Sequence, residues 1–305
     1  MSIANTLYKE TPKGGPLSPN ALRYGLTPSV NLRTDIDAAT TALVALMAVQ
    51  PDATRLAIID NTIRLLKGQN IGGLNPSLIN VWNKLDALWM YAAHTQQASL
   101  INWKTPGTRD SILVNSPTFV SNSHITSPTR TDVYIDTQFN ISTSWAVGAA
   151  NNCHFGHYME KNPMFDVNHQ CLFGTSTTSP FFYLIAYETS NNGATATSTV
   201  FHAKGPFTEM RNTATSDRYY IACARPTTQA VYINGNTTPV SSNNSNAMNV
   251  SSNNIRLLNL LAVSTWSTLG VRFFHIGSDI TDADAAVFSA ALNGYYLTQL
   301  AINGY

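Results

Sequence analysis

From Pro106 onward the apolar residues of this chain recur with a period of two, and that alternation constrains the fold more than any other feature. Segments such as "DVYIDTQFN", "CHFGHYME", "FFYLIAYE", "YYIACAR" and "VRFFHIGS" are short and rich in β-branched and aromatic residues. Gly, Pro, Asn and Ser separate them. Many short strands with regular turn signals point to an antiparallel sandwich or barrel. The clearest single turn is Asn234-Gly235 in "AVYINGN", a dipeptide favoured in type I′ hairpins because both central residues need positive φ. From Ser278 to Leu300 the chain returns to a helical period. Thr281 is placed to cap that helix, with Asp284 three residues on as a short-armed capping box. Its stripe of Ala285, Phe288, Ala291, Leu292 and Tyr295 should dock against the sheets.

Before Pro106 the texture is different. Asp35 to Val49 reads as a helix whose acidic first turn suits the helix dipole. Pro51 separates it from a second helix, with Asp52 as N-cap, Leu56, Ile59, Ile63 and Leu66 at helical spacing, and Gly68, Gly72 and Gly73 as terminators. A third helix is predicted from about Ser77 to Lys104. Leu78, Trp82, Leu85, Trp89, Ala92, Gln96 and Ser99 step by four and three there, as in a heptad seam that turns polar in its second half. Leu78, Trp82, Leu85 and Trp89 are the candidate oligomer or attachment seam, while Asn83, Lys84 and Asp86 fall off it and should reach water. His94 reads as a solvated or interface histidine. The change of period near Trp103 to Gly107 sets a boundary between a helical attachment region, residues 35–104, and a β domain, residues 105–305. A chain starting near Thr105 is therefore expected to fold by itself. Residues 1–34 carry Pro12, Pro16 and Pro19 among scattered apolar residues with no period. Such a segment is either disordered or an extended arm that orders on a partner.

Hydrophobic residues make up 44% of the 305 residues, enough for a sizeable core, whereas charged residues make up 11% and the net charge is +1. An average soluble chain is about 25% charged. Asn, Ser and Thr take the place of the missing charges. Phosphate backbones are bound by clustered cations, and no Lys/Arg block exists, so neither nucleic acid nor an anionic membrane is an expected partner. No apolar run suits a signal peptide or a membrane span, so no membrane insertion is expected. Cys153, Cys171 and Cys223 suggest reduced thiols rather than a disulfide scaffold, with pairing of Cys153 and Cys171 across neighbouring strands as the alternative.

Two stretches resemble known families. "YIACAR" leading to "VYINGN", with "RFFHIGSDITDADAAVFSAALNGYY" as the close, resembles the laminin-G-like or concanavalin A-like jelly roll. "VWNKLDALWMYAAHTQQASLINWKTPGTRDSILVNSPTFV" followed by "DVYIDTQFN" is similar to a module of bacteriophage and prophage structural proteins, tail-fibre-like ones included. The residues that carry this second likeness are Trp82, Lys84, Leu85, Asp86, Leu88, Ala92, Ala93, His94, Gln97, Asn102 and Trp103, then Asn115 to Phe119 and Tyr134 to Asn140. Gln138 departs from the pattern, standing where a glycine is expected. Together the two likenesses run from about Ser77 to the last residue. They imply a mainly β chain, an antiparallel jelly-roll β-sandwich of the concanavalin A-like kind, preceded by an extended N-terminal arm and a small helical region.

The same likeness implies a virion protein assembled in the bacterial cytoplasm. The arm, residues 1–34, would lie on other virion proteins, the helices would support a homo-oligomer, and the sandwich would be displayed as a fibre or adhesin that meets host-surface glycans. The alternatives are a purely architectural head, collar or tail decoration without ligand, and a polysaccharide-degrading enzyme. Glycans are held by aromatic faces and amides. Trp145, Asn151, Asn152, His157 and Tyr187 supply those residue types, although the same types also fill cores. A retaining glycosidase needs two carboxylates about 5–5.5 Å apart. Glu160, Glu188 and Glu209 are isolated, and no nucleophile-elbow, phosphate-loop or Cys-x-x-Cys pattern occurs, so no catalytic residue is assigned. His154 and His157 invite a metal reading, with Asp166 and His169 downstream. Residues three apart on a strand face opposite ways, so both could hold one ion only if Gly156 made a bulge. Asp132, Asp136, Asp166, Asp217 and Asp279 form no evident cluster for calcium, and no metal or cofactor is expected.

Overall fold

The computed structural model describes residues 35–127, 132–160, 170–176, 182–189, 196–202, 218–243, 250, 252–259 and 270–305. The readings placed on residues 1–34 and on Asp166, His169, Glu209 and Asp217 lie outside these, as do those on the side chains of Glu160, Cys171, Tyr187 and Glu188.

Two antiparallel sheets lie face to face. The larger is eight-stranded and is built around β6 (Cys153–Glu160) and β14 (Gly270–Ser278), which pair along their lengths. Beyond β6 come β10 (Arg218–Ala224), β11 (Thr228–Ile233) and β12 (Val240–Asn243). The other edge of β14 takes β1 (Leu85–Met90) and then β4 (His124–Thr126), which pairs with β3 (Thr118–Val120). The smaller sheet runs β2 (Ile112–Val114), β5 (Tyr134–Asn140), β13 (Asn254–Leu257), β7 (Gln170–Ser176), β8 (Phe182–Thr189) and β9 (Ala196–His202). Between the sheets pack Trp89, Phe139, Phe155, Phe173 and Phe274. A second core, with Leu88, Met90, Tyr219, Phe273, Phe288 and Leu292, joins the outer side of the eight-stranded sheet to the helices. The chain is a β-sandwich with a helical layer on one side, and the central strands of its larger sheet are buried on both faces.

The helix signals hold where they rest on local chemistry. Asp37 caps α1 (Ala38–Val44), which is shorter than the expected 35–49 and has no acidic residue in its first turn because Asp35 and Asp37 precede it, and Asp52 caps α2 (Ala53–Leu66) by accepting from the Arg55 N–H at 2.9 Å. Gly68, with φ +93°, ends α2, and a Cβ there would sit 2.8 Å from the Leu78 carbonyl oxygen. At the far end Thr281 and Asp284 form the capping box of α3 (Asp282–Phe288). The helical run continues as π-helix over Ser289–Leu297 and as α-helix over Thr298–Ile302. Asn234 and Gly235 have φ of 51° and 71°, and Asn236 N–H donates to Ile233 at 3.0 Å, as a type I′ turn requires.

The third helix is not formed. Trp82–Lys84 makes a single 3-10 turn, Leu85–Met90 is β1, and only Gln96–Leu100 is helical. β1 pairs with β14 from Leu85 against Gly277 to Met90 against Phe273. All six of its residues are buried. A strand covered on both faces loses the apolar–polar alternation that marks strands in a sequence, and the chance spacing of its large residues then mimics a helix. The seam dissolves with it. Leu78 is 62% exposed at positive φ, Trp82 and Leu85 belong to the helix-side core, and Trp89 belongs to the core between the sheets. Asp86 is 3% exposed and does not reach water. A border at 104/105 would cut β1 from the sheet it belongs to, so residues 35–104 are not a separate helical region.

The residues of the phage-like motif serve this junction. Asn102 is fully buried: its Oδ1 accepts from the Leu88 and Lys104 N–H groups at 3.1 Å, and its Nδ2 donates to Thr105 Oγ1 and the Thr108 carbonyl at 2.9 and 3.0 Å. His94 Nε2 donates to the Val49 carbonyl at 2.8 Å, so it ties the loop after β1 to the end of the α1 region. Gln138 has φ 55°, the left-handed conformation for which a glycine is favoured. Asp136 Oδ1, 2.7 Å from the Gln138 N–H, supports the backbone there.

Cys153 and Cys171 lie on β6 and β7, in different sheets, so the alternative of pairing across neighbouring strands does not apply. Cys223 is a buried free thiol.

Candidate functional site

Three polar places on or inside the sandwich stand out among the described residues. The first is the rim loop that follows β5. Asp86 holds it from below, its carboxylate accepting from the Ala146, Val147 and Gly148 N–H groups at 2.5, 2.8 and 2.8 Å. Trp145 sits half-buried over Phe139 and Phe155, with centroids at 5.1 and 6.0 Å, and its Nε1 donates to the Ile141 carbonyl at 2.6 Å. Its packing is inward. Asn151 takes positive φ, and the exposed Asn152 accepts from the Asp279 N–H at 3.2 Å through its carbonyl. Beside this loop, Arg225 bonds Asp279, Tyr232 and the Ile280 carbonyl, and Lys84 bonds Asp284 at 2.7 Å. Charges here are spent on fastening α3 to the sheet.

The second place is a set of histidines inside the eight-stranded sheet. β6 is regular at Gly156, which faces Ile221 on one side and His275 on the other, so the bulge needed for a shared metal ion is absent. His154 and His157 accordingly face opposite ways. His154 Nδ1 lies 2.5 Å from the Ser278 carbonyl and must donate to it. Its Nε2 therefore accepts from His275 Nδ1 at 3.0 Å, and His275 Nε2 accepts from the Tyr219 hydroxyl. One proton order satisfies the whole chain with both rings neutral. A Cβ on Gly156 would sit 1.9 Å from His275 Nε2, so only glycine leaves room for this ring. His157 packs between Phe173 and Phe274, and neither of its ring nitrogens has a hydrogen-bond partner. It is fully buried and cannot touch a glycan. Among the described residues no group of three His, Cys, Asp or Glu could hold a metal ion.

Burial pushes the His154 pKa down to about 4 and that of His157 down to about 3, and it holds His275 well below the usual value of 6.5. The unfolded chain binds protons at these rings below about pH 6.5 and the folded chain does not. Stability should therefore fall as the pH drops from 6.5 towards 4, by on the order of 3 kcal/mol for a ring shifted this far. The carboxylates whose pKa is lowered in the fold, Asp37, Asp52 and Asp284, lose their contribution only below that window. Thermal melts between pH 7.5 and 4.5 check this. His157→Leu, which removes an unpartnered buried ring, should flatten the slope, and an unchanged slope would contradict the assignment.

The third place is the outer face of the six-stranded sheet. β5 alternates regularly: Ile135, Thr137 and Phe139 are buried, while Tyr134, Asp136, Gln138 and Asn140 are half-exposed. β13 does the same, with Asn254 and Arg256 outward and Ile255 and Leu257 inward. Arg256 pairs in register with Asp136 on one side and Gly174 on the other. Its guanidinium lies 4.1 Å from the centre of the Tyr134 ring. Asp136 accepts from Asn254 Nδ2 at 3.1 Å as well as from the Gln138 N–H. The result is an aromatic ring, a guanidinium, a carboxylate and amides on one sheet face. Of the residues read as glycan contacts, His157 is buried, Trp145 packs inward, Asn151 and Asn152 lie on the rim loop, and the side chain of Tyr187 is outside the described residues. The polar groups of this face stand on alternate positions of "YIDTQFN".

No known family model matches this chain, and no curated protein resembles it in sequence. Solved structures do share its fold. A mutant sialidase of Trypanosoma rangeli with trans-sialidase activity matches at a TM-score of 0.50 and 9% identity, over 79% of this chain and 39% of that one. Domain 4 of AbnA, an extracellular GH43 arabinanase of Geobacillus stearothermophilus solved with arabinotriose, matches at 0.46 and 12%, over 68% of this chain and 98% of that one. The receptor-binding domain of botulinum neurotoxin D matches at 0.48 and 10%, over 69% and 53%. At these identities the likeness is one of fold, a β-sandwich.

Proposed function

We propose that this chain is a non-enzymatic structural protein of a bacteriophage particle that displays its sandwich outward and meets host-surface glycans with the outer face of the six-stranded sheet. The observation that carries the glycan part is the face itself. The helical layer covers the other sheet, and this one presents Tyr134, Asp136, Asn254 and Arg256 half-exposed and in register. Stacking surfaces next to amide and carboxylate groups suit sugar rings, whose faces are apolar and whose edges carry hydroxyls. The virion part rests on the phage-like motif, whose residues form the junction between β1, the helices and the sandwich. Residues 1–34 would then attach the chain to other virion proteins. A low charge suits a surface that works across a wide range of ionic strength.

The test is a glycan array probed with the labelled full chain, alongside immunogold labelling of purified particles. Binding is expected, with loss in a Tyr134→Ala/Arg256→Ala double variant that melts like wild type. Sugar release from the bound glycans would instead favour an enzyme. A second reading, an architectural decoration protein without ligand, has its own observation: Ile36, Leu46 and Val49, at the α1 end, are exposed by 41, 45 and 54% and could serve a subunit contact. Particle labelling without any glycan binding would favour it.

A further inference from the structure

Arg256 stands in an unusual position. Its nearest neighbour across the ladder is Asp136, yet the two form no ion pair. The Asp136 carboxylate is engaged instead by the Gln138 N–H and by Asn254 Nδ2. The guanidinium leans the other way, onto the ring of Tyr134, two residues earlier on β5. Stacking uses the flat face of a guanidinium and leaves its edge of N–H donors unspent. Among the described residues no carboxylate lies within ion-pair distance of Arg256 and no acceptor takes its protons. The side chain is half-exposed, so water or a ligand can meet that edge. The backbone partner on its other side is Gly174, which carries no side chain to crowd it.

A guanidinium held in one plane with a free edge matches a planar carboxylate, which accepts two parallel N–H···O bonds. Pre-stacking on Tyr134 lowers the entropy lost when those bonds form. Asn254 Oδ1, beside it on β13, remains an acceptor for a sugar hydroxyl, since its amide bonds Asp136 through Nδ2 alone. We infer that the outer sheet face selects acidic glycans, and that Arg256 is the specificity-determining residue that takes the carboxylate of a uronic-acid-type sugar while Tyr134 keeps its guanidinium in place. This rests on the glycan reading of the face and names the chemical class it would take.

The probes are tetragalacturonate and the same oligosaccharide with its carboxyl groups reduced to alcohols, titrated calorimetrically into the full chain at two salt concentrations. Wild type should bind the acidic form at least tenfold more tightly than the reduced form and should weaken with salt. Arg256→Gln should remove that preference, and Arg256→Lys, which keeps the charge but loses the planar fork, should not restore it. Tyr134→Leu should weaken acidic binding while Tyr134→Phe should keep it. Each variant is compared only if its melt matches wild type; these side chains are half-exposed, and the conservative Lys and Phe variants keep the test informative if the others misfold. Equal binding of the two probes, or full rescue by Arg256→Lys, would overturn the inference and leave the glycan reading standing. Absence of binding to these probes and to every member of the array would remove both.

Discussion

A chain truncated to begin at Thr105 should show no cooperative melt by far-UV circular dichroism. The cut removes β1, and with it Leu85, Leu88 and Met90 from the helix-side core and Ala87, Trp89 and Tyr91 from the core between the sheets. It also removes α1 and α2, so Phe288, Leu292 and the outer side of the eight-stranded sheet lose cover. One edge of β14 from Phe273 to Gly277 would lose its partner, and an exposed apolar edge of this kind templates aggregation. Beginning the chain at Asp35 keeps all of these elements and should preserve the melt. A cooperative transition for the Thr105 chain near the temperature of the longer one would show that β1 is dispensable.

Trp89→Ala should cost about 3–5 kcal/mol, the range for truncating a buried large aromatic. The ring is fully buried, stacks on Phe274 with centroids 6.0 Å apart, and donates from Nε1 to the Arg109 carbonyl at 3.0 Å. The variant leaves a cavity between the sheets and an acceptor without its partner. Because every one of these contacts is within the chain, the loss should be the same at all protein concentrations, whereas a seam between subunits would make it grow on dilution. Melts of wild type and variant over a hundredfold range of concentration separate the two cases. A variant as stable as wild type would contradict the placement of β1.

What the sequence disclosed and what it withheld follow one physical distinction. Asp52, Thr281 with Asp284, and Asn234-Gly235 act through bonds to residues a few positions away, so their meaning can be read locally. β5 has one wet face, and alternation exposed it. β1 has none: its burial depends on helices before it and strands up to nearly two hundred residues after it, and no local pattern records that. Its length was the usable clue, since the apolar run from Ala87 to Ala93 is short enough to fit a strand better than a long helix. The outer face was hidden for a related reason. Tyr134 and Arg256 are far apart in the chain and meet only because β5 and β13 pair with Arg256 opposite Asp136. That His154 and His157 take opposite faces was within reach of the sequence, because residues an odd number of steps apart on a strand alternate; that both faces are buried was not.

The proposed glycan face on the six-stranded sheet has one decisive test. The most direct measurement is the map of backbone amide shifts in the full chain as an acidic oligosaccharide is added. The shifts should concentrate on Tyr134, Asp136, Asn254 and Arg256 and on their neighbours in β5 and β13, with the 145–152 loop unchanged. Shifts confined to that loop, or to Ile36, Leu46 and Val49, with the sheet face silent, would contradict it.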